Sequence, residues 1–369
     1  MKSTLKIAAL AAAAGLTLAA CSTPAPSTDP TTEAGGGETS EATDAPEEPS
    51  AGPFSIGVSN AFVGSEYRTQ MIEAIEEVAN EYKEQGLLSE LVMENADADV
   101  NGQIQQVRNL INKGVDAIII DPNSATALDA VFKEAEAQGI KVYAIDQAVE
   151  TESVLNIGIS QQDLGAASAE WFAAKVGDGA KIVTIEGAAG NPATEARWAG
   201  AEPIFAEHNI EVLTRGDGGW DQTTGQTVAT DLLATYPDID GIWTYDGMAQ
   251  GTLKALEAAG KTDSVQTMGE ARGGFMRMWN DLRDTDFDTA GVINPPGTGA
   301  TAMHFAMNEL QGKTLDSSKV TDGHSIILPL APLVTGDNFD EIWEQIKDNG
   351  DGYVVDSIMS ADEVAAYFQ

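Results

Sequence analysis

From Phe54 onward, short apolar runs of strand length alternate with longer segments of helical periodicity. The runs are "FSIGVSN", "ELVMEN", "VDAIIID", "KVYAID", "VLNIGIS", "KIVTIEG", "IEVLTRGD", "IDGIWTYD", "SVQTMGE" and "TAGVIN". Segment 67–82 is typical of the helices, because its large apolar residues fall on one stripe and Gly86 follows it. This alternation predicts an α/β fold with parallel sheets covered by helices on both faces. Ten strands are many for one open sheet, so we expect two sheets of about five strands each.

The first 21 residues, "MKSTLKIAALAAAAGLTLAAC", have the organisation of an export signal. Lys2 and Lys6 give a basic start, an apolar stretch follows, and small residues precede Cys21. That stretch is too short for a membrane span. The tetrapeptide ending at Cys21 is similar to the lipobox of bacterial lipoproteins, which implies a signal peptide over 1–20 and lipidation of the Cys21 thiol. An ordinary signal peptide cut near the same place is the alternative.

Residues 21–52 have the composition of a disordered acidic tether. They contain Pro, Thr, Ser, Gly and acidic residues, no basic residue and almost no large apolar side chain. Such a segment cannot bury enough apolar surface to offset its ordering entropy. We expect a flexible tether with a reach of roughly 30 Å or more.

Composition excludes several functions. The chain has 58 acidic and 20 basic residues and a formal net charge of −38, so its surface repels phosphate backbones and nucleic acid is not an expected partner. Cys21 is the only cysteine, which leaves no disulfide and no cysteine nucleophile in the folded part. The three histidines lack metal-ligand spacing and no serine nucleophile motif occurs. We therefore expect no metal, no cofactor and no enzymatic activity.

Polar and aromatic residues stand where the predicted strands end. In doubly wound sheets, ligands bind beyond the carboxyl ends of the strands. The candidates at these ends are Ser59, Asn60, Asp121, Asp146, Gln147, Trp220, Asp221, Tyr245, Asp246, Glu270 and Asn294. Any one of them could instead cap the following helix. Together, carboxylates, amides and an aromatic face fit a sugar or polyol, whose hydroxyls need planar hydrogen-bond partners and whose C–H faces stack on rings.

The segment "IVTIEGAAGNPATEARWAG", residues 182–200, passes from a strand through glycines into a helix. Its glycines lack the GxGxxG spacing and no GK[ST] follows, so a phosphate-binding loop is not expected. We interpret it as a tight turn that directs Arg197 into a cleft; the alternative is a surface arginine. Pro203 lies later in the helical pattern and is expected to kink or end the helix.

Several ordered motifs carry a resemblance to a known family. They include "IGVSNAFVGSEYRTQM", "GVDAIIIDPNSATAL", "GAAGNPATEAR", "GDGGWDQTTGQ", "TYPDIDGIWTYDGMAQGTLKALEAAG" and "TAGVINPPG". From Phe54 onward the chain resembles the ribose- and galactose-type (type I) periplasmic binding proteins, the solute receptors of ABC importers. The resemblance implies two doubly wound parallel-sheet lobes joined by a three-strand hinge. Lobe one would comprise 53–158 and 295–325, and lobe two 159–294 and 326–369.

The resemblance also assigns roles to individual residues. By motif, Asp146 matches the sugar-binding aspartate of the family, and Arg197 matches the arginine that grips ring and hydroxyl oxygens. Trp220 matches the stacking aromatic residue, and Asn294 an amide near a hinge crossing. Asp121 stands where the family often has Asn.

Other positions depart from the pattern of the family. Tyr245 stands where sugar binders commonly have Asn, and Glu270 where an aromatic–Asp pair is usual. Gln147 replaces a frequent Arg, and the first loop has Tyr67 and Arg68 where ribose binders place paired Phe. These departures leave the ligand open between an unusual sugar, a polyol and a cationic solute.

We therefore expect a monomeric, extracytoplasmic receptor, lipid-anchored on the outer face of the bacterial cytoplasmic membrane. It would capture a sugar or polyol between its lobes and deliver it to the permease of an ABC importer. One alternative is an exported carbohydrate-active hydrolase that uses cleft carboxylates. Another is a sugar-sensing receptor without transport. After Pro329, "FDEIWEQIKDN" and "SADEVAAYF" predict amphipathic helices that pack on a lobe or contact the permease.

Overall fold

The computed structural model describes residues 52–369, which form parallel sheets covered by helices. The strands are β1 (Phe54–Asn60), β2 (Leu88–Asn95), β3 (Ala117–Asp121), β4 (Lys141–Ile145), β5 (Leu155–Gly158), β6 (Lys181–Glu186), β7 (Glu211–Asp217), β8 (Gly241–Thr244), β9 (Gln266–Thr267), β10 (Gly269–Glu270), β11 (Gly291–Val292) and β12 (Ser325–Ile327). The helices are α1 (Glu66–Glu84), α2 (Val100–Lys113), α3 (Asp129–Glu136), α4 (Gln161–Val176), α5 (Pro192–Glu207), α6 (Gln222–Thr235), α7 (Asp246–Ala259), α8 (Gly273–Leu282), α9 (Thr298–Leu310), α10 (Phe339–Ile346) and α11 (Ala361–Ala365). The predicted signal peptide, the lipidation of Cys21 and residues 21–51 of the predicted tether lie outside the described residues.

The first sheet has six parallel strands in the order β12–β5–β4–β3–β1–β2. Both faces are covered, as the sequence of β3 shows. Ile118 and Ile120 pack in one apolar cluster with α2 and α3, whereas Ala117 and Ile119 belong to the cluster that contains α1 and α9. Because successive strand residues point to opposite faces, a strand buried on both sides reads as a continuous apolar run.

The second sheet has four parallel strands in the order β7–β6–β8–β9, and β10 and β11 form a separate parallel pair. The helices pack against the four-stranded sheet as two close pairs, α4 with α5 and α6 with α7. Each predicted apolar run contains a strand, and the predicted parallel pairing is confirmed. The three-residue β12 was not predicted, because it is short and follows the polar stretch "TDGH".

Helices α4 and α5 approach closely because glycines lie at their contact. A Cβ atom on Gly165 would stand 2.1 Å from the backbone oxygen of Arg197, and one on Gly200 would stand 2.0 Å from that of Gln162. Pro203 does not end α5, since the helix continues to Glu207, and a kink at this position stays a prediction. Because proline has no backbone N–H, one hydrogen bond near the end of the helix is missing. Phe205, two residues later, is buried, and this burial offsets the loss.

The C-terminal segment passes between the two sheets twice. After β12, Val334 pairs with Gly291 near the second sheet, and α10 packs on α8. Residues 350–357, which we call the strap, then run beside the start of α8 and contact α1. The chain ends on the side of the first sheet, where α11 packs on α9 and Phe368 pairs with Leu315. The strap therefore adds a fourth crossing to the three that the resemblance implies.

Within residues 52–369, no helix combines the length and apolarity that a membrane span requires. The same residues contain no group of three or more His, Cys, Asp or Glu side chains arranged to hold a metal ion.

Candidate ligand-binding site

A cavity of about 180 Å³ lies beyond the carboxyl ends of strands from both sheets. It is lined by Ala61, Phe62, Ser65, Tyr67, Arg68, Ala98, Asn123, Asp146, Gln147, Ala188, Asn191, Ala193, Arg197, Gly219, Trp220, Asp246, Arg272 and Asn294. The volume is below the roughly 300–1,000 Å³ of sites for drug-sized ligands. A solute of monosaccharide size fits these dimensions.

Three lining residues adopt the left-handed backbone conformation that non-glycine residues avoid. The φ angles are 59° for Asp146, 61° for Trp220 and 50° for Asp246. Such a conformation costs about 1–3 kcal/mol per residue and tends to occur at ligand sites, where the surrounding structure enforces it. Here it occurs in the turns that follow β4, β7 and β8, and all three side chains line the cavity.

The indole ring of Trp220 lies against the glycine-rich turn after β6. A Cβ atom on Gly187 would stand 2.1 Å from Cζ2 of Trp220, so only glycine leaves room for the ring. The ring also lies near Tyr245, with 5.8 Å between the ring centroids. Gly187, the first glycine of "GAAG", thus accommodates an aromatic wall of the cavity.

Arg197 on α5 is buried, with 1% of its surface exposed, which excludes the alternative of a surface arginine. Its Nε donates to Gln161 Oε1 (2.8 Å) and its Nη1 to Asp246 Oδ2 (2.8 Å). The guanidinium lies over the ring of Tyr245, 4.6 Å from the centroid. Burial alone would lower the pKa of Arg197, but nearby carboxylates, Asp246 first among them, raise it above the usual value. Arg197 is therefore a fixed cation in the cavity wall.

A network of polar side chains connects the two sides of the cavity. Asn294 Nδ2 donates to Asp146 Oδ1 (3.1 Å), and Gln161 Nε2 donates to the same oxygen (3.1 Å) and to Asn294 Oδ1 (3.1 Å). Asp146 follows the first-sheet strand β4, whereas Asn294 follows β11 and Gln161 begins α4. Since Gln161 also accepts from Arg197, one amide joins the aspartate and the arginine that the resemblance assigns to ligand binding.

Arg68 on α1 forms the other cationic part of the wall. It contacts Asp121, and its Nη2 lies 3.7 Å from Asp146 Oδ2. Asp121 also accepts a hydrogen bond from Gln147 Nε2 (2.9 Å). Burial lowers the pKa of Arg68 from its usual value, while Asp146 opposes this effect. Asp121 thus lies behind the wall and holds two of the residues that form it.

A buried carboxyl pair lies near the second-sheet side of the cavity. Glu270 Oε2 accepts from Arg272 Nε (2.7 Å), and burial raises the pKa of Glu270 to about 8, with Arg272 lowering and Asp246 raising it. The remaining oxygens, Asp246 Oδ1 and Glu270 Oε1, are buried and accept no hydrogen bond with regular geometry from the described residues. One proton on Glu270 relieves the repulsion between the two carboxyl groups.

The structure brings most of the predicted site residues to the cavity. Those on its wall are Tyr67, Arg68, Asp146, Gln147, Arg197, Trp220, Asp246 and Asn294. The others lie off the wall: Ser59 donates to Gln106 (2.8 Å), Asp121 holds Arg68 and Gln147, Asp221 caps α6 through Thr224 N (2.7 Å), Tyr245 packs on Arg197, and Glu270 holds Arg272. Ligand contact by any of them remains a prediction.

Sequence reasoning missed several residues of the wall. Arg272 precedes α8, Asn123 follows β3 by two positions, and Gln161 joins the polar network from the start of α4. Arg272 and Asn123 each stand two residues beyond a strand end, as Asp246 and Asn294 do, so a search of every strand end to two residues would have included them.

Comparison with known proteins agrees with this geometry. Residues 56–314 match the family described as "Periplasmic binding protein domain". The chain belongs to this family. Among curated relatives, the ribose import binding protein of Bacillus subtilis (strain 168) is 33% identical over 210 residues, which cover 56% of this chain and 67% of that protein. The xylitol-binding protein of Mycolicibacterium smegmatis is 31% identical over 261 residues, covering 70% and 72%.

Solved structures show the same fold. An ABC transporter solute binding protein from Thermobispora bispora superposes with a TM-score of 0.74 at 22% identity, covering 85% of this chain and 94% of that one. A solute binding protein from Bacillus halodurans with bound myo-inositol gives a TM-score of 0.67 at 26% identity, covering 79% and 98%. The predicted fold class, doubly wound parallel-sheet lobes of the type I kind, is confirmed. The matching family is one of binding proteins.

Proposed function

We propose that the protein is an extracytoplasmic receptor that binds one sugar or polyol molecule in the cavity and delivers it to an ABC importer permease. The observation that supports this most directly is the cavity wall, in which fixed carboxylate, amide and guanidinium groups stand beside the face of Trp220. Hydroxyl groups can donate to the carboxylate and accept from the guanidinium, and an aromatic face suits sugar C–H groups. Relatives that bind ribose and xylitol support the same class of ligand.

The proposal does not include catalysis. Asp246 is paired with Arg197 and Asp146 accepts from two amides, while Glu270, which holds a proton, is fully buried and does not line the cavity. A glycoside hydrolase needs one carboxyl group free to donate a proton to the leaving oxygen and a second free to attack or to activate water. Carboxylates held in these pairs serve to hold a ligand and its neighbouring side chains.

The proposed organisation follows the sequence prediction with one revision. Cys21 would be lipidated after removal of residues 1–20, and 21–52 would tether a monomeric receptor to the outer face of the cytoplasmic membrane. Lobe one would contain 53–158 and 295–325, and lobe two 159–294. We assign β12 and residues 358–369 to lobe one, because β12 pairs with β5 and α11 packs on α9.

A thermal-shift screen tests the proposed function. The purified protein is heated with single pentoses, hexoses, polyols, inositols, amino acids or small cations, and calorimetry follows on each hit. A ligand at 100 times its Kd stabilises the folded state by about 2.7 kcal/mol, which raises the melting temperature measurably. We expect a sugar or polyol to bind with one-to-one stoichiometry and to be recovered unchanged.

The same screen can reject the proposal. Stabilisation by amino acids or cations alone would retain the fold but overturn the assignment to sugars and polyols. Conversion of the bound sugar to a product would favour the hydrolase over the receptor.

A further inference from the structure

Arg272 is a buried cation of the cavity wall that the family motifs do not assign to the ligand. It lies between β10 and α8, only 4% of its surface is exposed, and it lines the same cavity as Arg197. A charged side chain at such a position requires both a counter-ion and hydrogen-bond acceptors for its donors. The arrangement of its five N–H groups therefore indicates what else it binds.

Only the Nε donor of this guanidinium forms a hydrogen bond within the described residues. Nε donates to Glu270 Oε2 (2.7 Å), and Nη1 lies 3.7 Å from Glu66 Oε2, which is too long for a hydrogen bond. Within residues 52–369, neither Nη atom of Arg272 donates a hydrogen bond to another residue. Because the buried pair of Asp246 and Glu270 keeps one negative charge beside Arg272, the unused Nη donors can bind neutral oxygen atoms as well as charged ones.

The strap fixes the backbone that carries Arg272. Val354 forms an antiparallel bridge with Arg272, Gly273 N donates to Tyr353 O (2.8 Å), and Gly274 N donates to Asp351 O (2.7 Å). A Cβ atom on Gly273 would stand 2.1 Å from the backbone oxygen of Gly350, so the close approach of the strap requires glycine there. The position of Arg272 thus depends on the C-terminal segment.

The strap is itself attached to α1 on the opposite side of the cavity. The amide of Gln70 pairs with the backbone of Val354 in both directions, with Nε2 donating to the oxygen (2.9 Å) and Oε1 accepting from the nitrogen (3.0 Å). Asp356 Oδ1 also accepts from Gly297 N (2.6 Å) at the chain crossing before α9. Through these hydrogen bonds the strap connects the backbone of Arg272 to α1, the helix that carries Tyr67 and Arg68.

We propose that Arg272 is a specificity-determining residue that donates from its Nη atoms to a hydroxyl or ring oxygen of the bound sugar or polyol, and that the strap positions it through Gln70. This proposal rests on the proposed function and extends it to a residue and a segment that the family motifs leave unassigned. Gln70 is a positioning residue, since it does not line the cavity.

The test combines variants with ligand analogues. Calorimetry measures the Kd of the sugar or polyol identified by the screen, and of its monodeoxy analogues, for the wild type, Arg272→Met, Arg272→Lys and Gln70→Ala. Gln266→Ala is the matched control, because Gln266 Nε2 also binds a backbone oxygen, that of Asp288 (2.7 Å), but lies away from the strap. Thermal melts of each variant report whether it folds.

A direct contact predicts coupling between Arg272 and one hydroxyl. In the wild type, one deoxy analogue should bind roughly 10- to 100-fold more weakly than the parent ligand, as expected for a hydrogen bond to a charged group. In Arg272→Met and Arg272→Lys the same analogue and the parent should bind equally. Gln70→Ala should lower the ratio of the Kd of the analogue to that of the parent only in part, and Gln266→Ala should leave this ratio unchanged.

Other outcomes overturn the proposal. If both Arg272 variants fold and retain the wild-type ratio for every analogue, Arg272 makes no specific contact and has only a structural role. If Gln70→Ala behaves as Gln266→Ala does, the strap does not position Arg272. If the wild type binds no sugar or polyol at all, the proposed function fails first and the role of Arg272 falls with it.

Discussion

Trp220 shows how a single side chain is made available to a ligand. Its left-handed backbone (φ 61°) and the close contact with Gly187 hold the indole in the cavity wall. If the ring is a stacking platform, Trp220→Ala should weaken ligand binding by about 1–3 kcal/mol, judged from the area that an aromatic side chain buries. Calorimetry with the ligand found by the screen measures this change.

A second tryptophan, on helix α5, provides the control for this prediction. Trp198 packs against the guanidinium of Arg215, 4.1 Å from the ring centroid, and does not line the cavity. Trp198→Ala should leave the Kd unchanged even if it lowers the melting temperature. Equal affinities for the wild type and Trp220→Ala would remove the indole from the binding site.

At the residue scale, the sequence predicts the site where a polar side chain stands one or two residues beyond a strand. Asp146, Asp246 and Asn294 fit this rule and line the cavity. Asp221 stands four residues beyond its strand and caps α6 instead, because Thr224 N donates to its carboxylate. Arg272 also stands two residues beyond a strand, but its position depends on the strap, whose Val354 is 82 residues away in sequence, and no local pattern relates the two.

The helix pair α4–α5 carries a prediction at the element scale. An alanine methyl at Gly165 would overlap the backbone of Arg197, so α5 would have to move away from α4. Gly165→Ala should therefore destabilise the protein by about 1–3 kcal/mol, the usual cost of overpacking, and should weaken ligand binding because Arg197 moves with α5. Chemical denaturation and calorimetry measure the two effects.

Gly336→Ala is the matched control for this helix contact. A Cβ atom at Gly336 would meet no other atom within 4 Å, and its backbone φ is not in the left-handed region. This variant should retain both the stability and the affinity of the wild type. If Gly165→Ala behaved in the same way, close contact of α4 and α5 would not be needed to place Arg197.

Elements with a continuous apolar pattern were predictable because burial on both faces leaves a clear signal. Strand β3 and helix α1 are examples, and α1 extends only a little beyond the predicted segment 67–82. The short β12 and the strap carry no such signal. They pair with distant segments through backbone hydrogen bonds. Because every residue type carries the same backbone groups, such pairing leaves no pattern in the sequence.

At the scale of the whole molecule, the alternation of apolar runs and helical segments predicted the α/β fold. The order of several motifs carried the resemblance to the type I family, since each motif alone occurs in many α/β proteins. The net charge of −38 excluded nucleic acid as an expected partner but says nothing of the cavity, where arginines are paired with carboxylates. The buried pair formed by Asp246 and Glu270 makes the free energy of unfolding depend on pH. The reason is that the folded protein binds a proton at Glu270, whose pKa is raised to about 8.

The sign of the resulting pH dependence follows from that shift. Between the ordinary pKa of Glu, 4.5, and the folded value of about 8, the folded protein holds a proton that the unfolded chain has released. The contribution of Glu270 to the free energy of unfolding is therefore lost as pH rises through this window, at up to about 1.4 kcal/mol per pH unit. Glu270→Gln cannot release a proton, so its stability should lack this component.

Urea denaturation at pH 5, 6, 7 and 8 measures the effect as a difference between the two proteins. Buried His304 has the opposite influence, because burial lowers its pKa and its contribution is lost as pH falls through the ordinary value of 6.5. The contribution of His304 to the free energy of unfolding is the same in the wild type and in Glu270→Gln, so it cancels when the two stabilities are subtracted. We expect the stability of Glu270→Gln relative to the wild type to increase steadily with pH. A difference that stays constant from pH 5 to 8 would mean that Glu270 is ionised in the folded protein, with Arg272 compensating its charge despite the proximity of Asp246.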